Sequence, residues 1–322
     1  MTADDRLHPQ AAALVAQVAT SGLPPSYAVP PAEGRRIVVE RARRFFGALP
    51  AVARSHDDWI VWEGRAIPMR IHQPLLDGNG DEALPVIVYF HGGGWVLGSL
   101  DSHDHGARAL CAAAGAIVIS VGYRRAPEHP FPAAAEDADI AVRWAETSGP
   151  SIGGDPSRIV VAGDSSGGNL AAVAALAARE RDSRSLRMQV LICPALDAGC
   201  DSPSFTACAD APFLSAEGMR WFWETYLAGS AETAREDWHA SPMAARNLAG
   251  LPPALLLAAG VDPLRDEAAA YAERLVAAGV PATLRTFEGM PHGFFQAQGV
   301  LDDARTAAAL AGRILRKAFA KP

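Results

Sequence analysis

The sequence has no window of about 18 uninterrupted apolar residues, so no membrane-spanning helix is expected. Its first residues, Met1-Thr2-Ala3-Asp4-Asp5-Arg6, place acid where an export signal needs a basic start and an apolar run, so the expected compartment is the cytoplasm. No stripe of Lys and Arg offsets the formal net charge of -7, which argues against a nucleic-acid surface. Cysteine is scarce. Cys111, Cys193, Cys200 and Cys208 show neither CxxC spacing nor a histidine at zinc-like spacing. Buried free thiols are the expectation, with a Cys200–Cys208 bridge the lesser alternative. No internal repeat is present, and no low-complexity stretch beyond Ala-rich helices.

What remains is a chain of 322 residues with 49% hydrophobic and 20% charged content, enough to bury the core of a large soluble domain. The run from Arg35-Arg36 to Arg41-Ala42-Arg43-Arg44 is interleaved with Val, Phe and Glu, and reads as a solvated helix face rather than a phosphate or membrane patch.

Two helices, His8 to Ala19 and about Pro31 to Phe46, precede any strand and so stand apart from a sheet's crossover pattern. Asp58 to Trp62 and Ala66 to His72 then suggest an antiparallel hairpin, followed by a polar loop at Asp77 to Asp81. From Pro85 the signal becomes strand and helix in alternation: strands at 85–90, 116–121, 158–162 and 187–193, helices at 103–114, 133–147 and 169–179. That is the pattern of a parallel sheet covered on both faces. The alternation stops between about Asp197 and Leu251, where helices are expected near 215–227 and 231–238, and resumes with strands 254–259 and 282–287 and helices 266–278 and 302–320. The expected organisation is an N-terminal helical part of a cap (1–55), a first part of a catalytic core (56–196), an inserted helical cap (197–251) and the rest of the core (252–322).

Gly163-Asp164-Ser165-Ser166-Gly167-Gly168 lies between the strand ending at Ala162 and the helix beginning near Asn169, the context of a nucleophile elbow. Flanking glycines let the backbone turn tightly and leave the Ser165 hydroxyl exposed above the sheet edge. A serine hydroxyl needs a base, an acid to orient it, and donors for the oxyanion, all from loops at the C-terminal ends of strands. Among nine histidines, His292 follows the last strand between Pro291 and Gly293. His103 and His105 stand at a helix start, where capping or exposure explains them. A metal cluster of Asp101, Asp104 and these histidines lacks a third loop to complete it, and no metal is expected. Asp262 immediately follows a strand, whereas Asp266 falls in a first helical turn that suits an acid. The order Ser165, Asp262, His292 is that of α/β-hydrolases. His91-Gly92-Gly93-Gly94-Trp95 follows strand 85–90, and Gly93, Gly94 and Ser166 can offer unobstructed N–H groups to a developing alkoxide.

Together with Asp262-Pro263-Leu264-Arg265-Asp266-Glu267 and Tyr123-Arg124-Arg125-Ala126-Pro127-Glu128-His129-Pro130, these motifs resemble the signature set of the bacterial hormone-sensitive-lipase-like (family IV) esterases, in the branch with Gly-Asp-Ser at the elbow. Arg125 stands where that family usually has Leu, and Ser166 where Ala is commoner. The resemblance spans about residues 60–300. It implies an α/β-hydrolase fold with a mostly parallel central sheet, helices on both faces and a helical cap. It also implies hydrolysis of short to medium acyl esters by water without a cofactor, and a homodimer formed through the last edge strand, near Ala282 to Phe287. His91, Asp164 and Glu128 are read as structural supports. Trp95, Phe213, Leu214, Trp221, Phe222 and Tyr226 either line an acyl pocket or simply pack against the core. Amide hydrolysis, as by an arylformamidase, and a ligand receptor on the same fold are the alternatives; a receptor is expected to have lost a triad member, and here all three are present.

Overall fold

The computed structural model describes residues 6–76 and 82–320; the polar loop expected at Asp77 to Asp81 lies outside them. Eight strands form one sheet: β1 (Arg54–Trp62), β2 (Arg65–Gln73), β3 (Leu84–Phe90), β4 (Ile117–Val121), β5 (Gly154–Asp164), β6 (Leu186–Ile192), β7 (Ala254–Val261) and β8 (Ala282–Pro291). Their spatial order is β1-β2-β4-β3-β5-β6-β7-β8. β2 runs antiparallel to both β1 and β4, and every pair from β4 to β8 is parallel. β8 is one edge.

The central strands are apolar on both faces because helices cover both. In β3, Val86, Val88 and Phe90 enter one core while Ile87 and Tyr89 enter the other; β5 divides Ile159 and Val161 from Val160 and Ala162 in the same way. The first core is closed by α4 (Ala133–Ser148), α5 (Ser166–Glu180) and α8 (Arg265–Ala277) through Ala138, Leu170 and Tyr271. The second is closed by α3 (Asp104–Ala114) and α9 (Asp302–Phe319) through Leu110, Ala307 and Leu315.

The remaining helices are α1 (Pro9–Ala19) and α2 (Pro31–Phe45), which precede the sheet in the chain, and α6 (Pro203–Ala207) and α7 (Ala216–Tyr226), which lie between β6 and β7. α6 is a five-residue helix that periodicity did not announce, and the helix expected at 231–238 is a 3₁₀ turn over Glu232–Glu236. Both are too short for a 3.6-residue repeat to register. The two strands of the hairpin and β5 and β8 are longer than expected, since polar residues at strand ends still pair. All four cysteines are buried and free, which removes the Cys200–Cys208 bridge. No helix among the described residues is long and apolar enough to cross a membrane.

Candidate active site

The turn from β5 into α5 holds Ser165 at φ 57°, ψ -122°, a backbone state that costs a residue with a side chain energy and persists because its neighbours enforce it. The enforcement is close packing. A Cβ on Gly163 would lie 2.2 Å from the Gly167 carbonyl oxygen, and one on Gly167 only 1.9 Å from that of Phe90. Glycine at both positions lets α5 start against β3 and β5, which pins the serine between them.

His292 follows the last residue of β8, and its Nε2 lies 2.9 Å from Ser165 Oγ. On the other side its Nδ1–H donates to Asp262 Oδ2 at 2.7 Å. Asp262, at the end of β7, is fully buried, and its Oδ1 accepts the Leu264 N–H at 2.9 Å, so both carboxylate oxygens are fixed. Burial alone would push the imidazole towards neutrality; the Asp262 charge, its hydrogen bond and the Asp164 charge outweigh it, so the proton affinity of His292 is raised. This suits a base that must take a proton from a hydroxyl. Asp266, by contrast, sits in the first turn of α8 paired with Arg265.

The glycine loop after β3 lies beside this row. Gly93 and Gly94 adopt φ of 107° and 61°. A Cβ on Gly94 would fall 2.0 Å from the Phe222 ring, and one on Gly93 2.2 Å from the Gly98 nitrogen. Among the described residues, the N–H groups of Gly93, Gly94 and Ser166 make no hydrogen bond, the last because the first N–H groups of α5 have no preceding turn. Unspent donors of this kind are what an oxyanion requires.

Ser165, His292, Gly93 and Gly94 share a cavity of about 120 Å³ with an apolar wall. Of the six residues expected in an acyl pocket, Phe213, Leu214 and Phe222 line it. Trp95, Trp221 and Tyr226 do not. Trp95 is fully buried and stacks on Tyr226 at 4.4 Å, packing that roots α7 on the core. Trp221 packs against Tyr27 and Phe222. Sequence placed all the aromatics of α7 together, but a helix sends Phe222 one way and its neighbours others.

More of the wall comes from places the sequence gave no reason to choose, among them Leu14 of α1, Val38 and Arg41 of α2, and Phe294 after His292. Arg41 departs from the expected solvated face. Gly34, Ile37 and Ala42 are buried on α2, and Arg41 falls on their stripe, whereas Arg36, Arg43 and Arg44 are exposed. Arg35 also turns inward, donating to Glu128 and to the carbonyls of Val96 and Ala126.

His103 lines the same cavity instead of capping α3 or facing solvent. Its Nε2 is 3.3 Å from Asp164 Oδ2 and its Nδ1 is 2.8 Å from Ser102 Oγ. Asp164 also accepts the Tyr89 hydroxyl at 2.5 Å. Burial pushes its carboxyl up, and His103, Tyr89 and His292 together bring it below its ordinary value. Buried Glu267 accepts the N–H groups of Leu196 and Asp197 at 2.6 and 2.9 Å, holding the start of the inserted segment to α8. The Cys193 sulfur lies within 4.8 Å of ligand atoms of Asp262 and His292, but burial pushes that thiol well up and both histidine nitrogens are already engaged. The acids and histidines considered for a metal cluster point elsewhere: Asp104 pairs with Arg108, Asp101 with Arg70, and His105 contacts the Gly47 carbonyl.

Residues 87–296 match a family model described as alpha/beta hydrolase fold. The sequence is 46% identical over 230 residues to carboxylesterase NlhH of Mycobacterium tuberculosis, covering 71% of each chain. It is 39% identical over 245 residues to ethyl acetate hydrolase of Pseudomonas putida, covering 75% of this chain and 76% of that one. Among solved structures, a serine-to-alanine mutant of LAE6, an alpha/beta hydrolase enzyme from the metagenome of Lake Arreo, superposes with a TM-score of 0.91 at 36% identity, over 98% of this chain and 100% of the other. A thermostable esterase from Pseudomonas putida superposes with a TM-score of 0.91 at 34% identity, over 98% of both.

Proposed function

The chain belongs to the hormone-sensitive-lipase-like group of the alpha/beta hydrolase family, and from that premise we propose that it is a serine carboxylesterase acting on short to medium acyl esters. One observation carries the reading: an unbroken hydrogen-bonded row from Asp262 through His292 to Ser165, facing three unspent backbone donors.

In the first half-reaction, Ser165 Oγ attacks the ester carbonyl as its proton passes to His292 Nε2. Asp262 holds the ring so that Nε2 is the free nitrogen, and stabilises the imidazolium that forms. Gly93, Gly94 and Ser166 N–H groups take the negative charge that develops on the carbonyl oxygen. As the tetrahedral intermediate collapses, His292 returns the proton to the departing alkoxide, leaving an acyl-serine. In the second half, His292 takes a proton from water, the hydroxide attacks the acyl carbon, and Ser165 leaves with its proton restored. The reaction needs nothing beyond ester and water.

The modest cavity and its apolar wall of Phe213, Leu214, Phe222 and Phe294 support short chains over long triglyceride acyl groups. Hydrolysis of p-nitrophenyl esters from acetate to palmitate, with a matched amide alongside, tests the reading. The expected result is a rate maximum at short or medium chains, little turnover of the amide, and loss of activity in Ser165→Ala. Equal inertness of the wild-type protein and this variant would refute it.

A further inference from the structure

Arg41 is the charged group that the chemistry above does not use. It lines the catalytic cavity and also a second, larger one of about 350 Å³ between α1, α2 and residues 211–215. The two cavities share Ser26, Arg41, Phe213 and Leu214 as a common wall, so Arg41 stands between them. Among the described residues it has no ion pair and no hydrogen bond, and its Nε is buried without a partner. Its guanidinium carbon lies over the Phe213 ring, 5.7 Å from the centroid. Every other arginine that turns inward near the site has oxygens to donate to: Arg35 has Glu128 and two carbonyls, and Arg125 has the Gly98 carbonyl.

A guanidinium held among apolar side chains is costly, and it is ordinarily retained where a partner arrives to satisfy it. Burial makes the charged form of Arg41 less favourable than usual, the direction expected of a cation lacking its anion. The carboxylate facing the same cavity, Asp164, is committed to Tyr89 and His103 and is not that anion. The surroundings are also held in a tense form. Phe213 occupies φ 69°, unusual for an aromatic residue, and keeps its ring against Arg41 at the common wall.

Resting on the ester-hydrolase reading, we propose that Arg41 is a specificity-determining residue that receives a carboxylate carried by the substrate, so that the preferred esters are monoanionic: hemiesters of dicarboxylic acids, or esters of hydroxy acids. A planar guanidinium offers paired donors to a carboxylate, and the apolar wall strengthens the pairing while holding the carbon chain between Arg41 and Ser165. The two classes of ester differ in which side of the scissile bond carries the charge.

Two chain-matched comparisons on the full-length protein separate them: monomethyl adipate against methyl hexanoate for the acyl side, and acetoxyhexanoate against hexyl acetate for the alcohol side. In one of these pairs the wild-type kcat/KM favours the anion by about tenfold or more, Arg41→Met removes the preference, and Arg41→Lys restores part of it. The pair showing the effect identifies the side. A ratio that Arg41→Met leaves unchanged in both pairs overturns the proposal. Calorimetric binding of the same anionic esters to Ser165→Ala, with and without Arg41→Met, reads the recognition without turnover. Inertness of the wild-type protein towards p-nitrophenyl butyrate would thus sink the hydrolase reading alone, whereas equal binding with and without Arg41 sinks this one.

Discussion

Two rows of serine, histidine and aspartate meet the same cavity. Ser165, His292 and Asp262 form one, and Ser102, His103 and Asp164 the other, with contacts of 2.9 and 2.7 Å in the first and 2.8 and 3.3 Å in the second. Their side chains are the same three, yet their settings divide them. Ser102 is spent within a turn: its hydroxyl donates to the Ser99 carbonyl at 3.1 Å and accepts the Ser99 N–H at 2.9 Å. The Ser165 hydroxyl has, among the described residues, His292 alone for a hydrogen-bond partner, sits at a strained bend, and faces free backbone donors. In the second row the histidine is turned round, offering Nδ1 to the serine and Nε2 to the acid, and the acid answers to Tyr89 as well. On the proposed mechanism, then, backbone geometry and unsatisfied neighbours, not the trio of residue types, mark out the nucleophile.

The sharpest break between the rows is expected from their histidines. His292→Ala should lower kcat by about 10⁴-fold or more, because the base and the leaving-group acid vanish together. His103→Ala should leave kcat within about tenfold while lowering stability by about 1–3 kcal/mol, since buried Asp164 loses a partner. Thermal unfolding and single-substrate kinetics on both variants check this; a His103→Ala loss near that of His292→Ala would erase the distinction.

The acids come next and separate the rows by pH. The imidazole of His292 has its proton affinity raised, and it must be unprotonated to act, so kcat/KM should fall as pH drops through a value above the ordinary 6.5 of histidine. Asp262→Asn removes the larger raising contribution: the acid limb should move to lower pH and the rate drop by about 10³–10⁴-fold. Asp164→Asn removes only the smaller one, so its limb should move the same way by less. A pH–rate profile of the three proteins reads both. A larger shift from Asp164→Asn would invert the assignment.

The smallest effect belongs to Ser102. Ser102→Ala should change kcat/KM by no more than about threefold, with stability lowered by about 1 kcal/mol for the lost turn hydrogen bonds. A far greater loss of activity would mean that the second row takes part in the chemistry.

How much of this was legible in the sequence follows from how local each signal is. The order of strands and helices was readable because each is a run of side chains with a period, and Ser165, Asp262 and His292 because each follows a strand at the same edge of the sheet. The second row was not: His103 and Asp164 are 61 positions apart, and only the pairing of β3 with β5 brings their loops together. The walls were half legible. Phe213, Leu214 and Phe222 belong to the inserted segment where a cap was expected, but Trp95 and Tyr226 are turned into each other by the rotation of α7, which composition does not encode. Arg41 was hidden among five arginines of one short stretch; its place on the stripe of Gly34, Ile37 and Ala42 was the one sign, and it shows only once the buried side of α2 is known.

Phe222 occupies the room that a side chain on Gly94 would need. The Phe222 ring of α7 is therefore packed directly on the Gly94 backbone, and the aim of the glycine loop depends on where α7 sits. Trp221 meets the Phe222 ring edge-on at 5.0 Å, so a displacement of α7 that disturbs the loop should also change the surroundings of an indole. Tryptophan emission is thus a place to look for movement of α7 before any substrate is added.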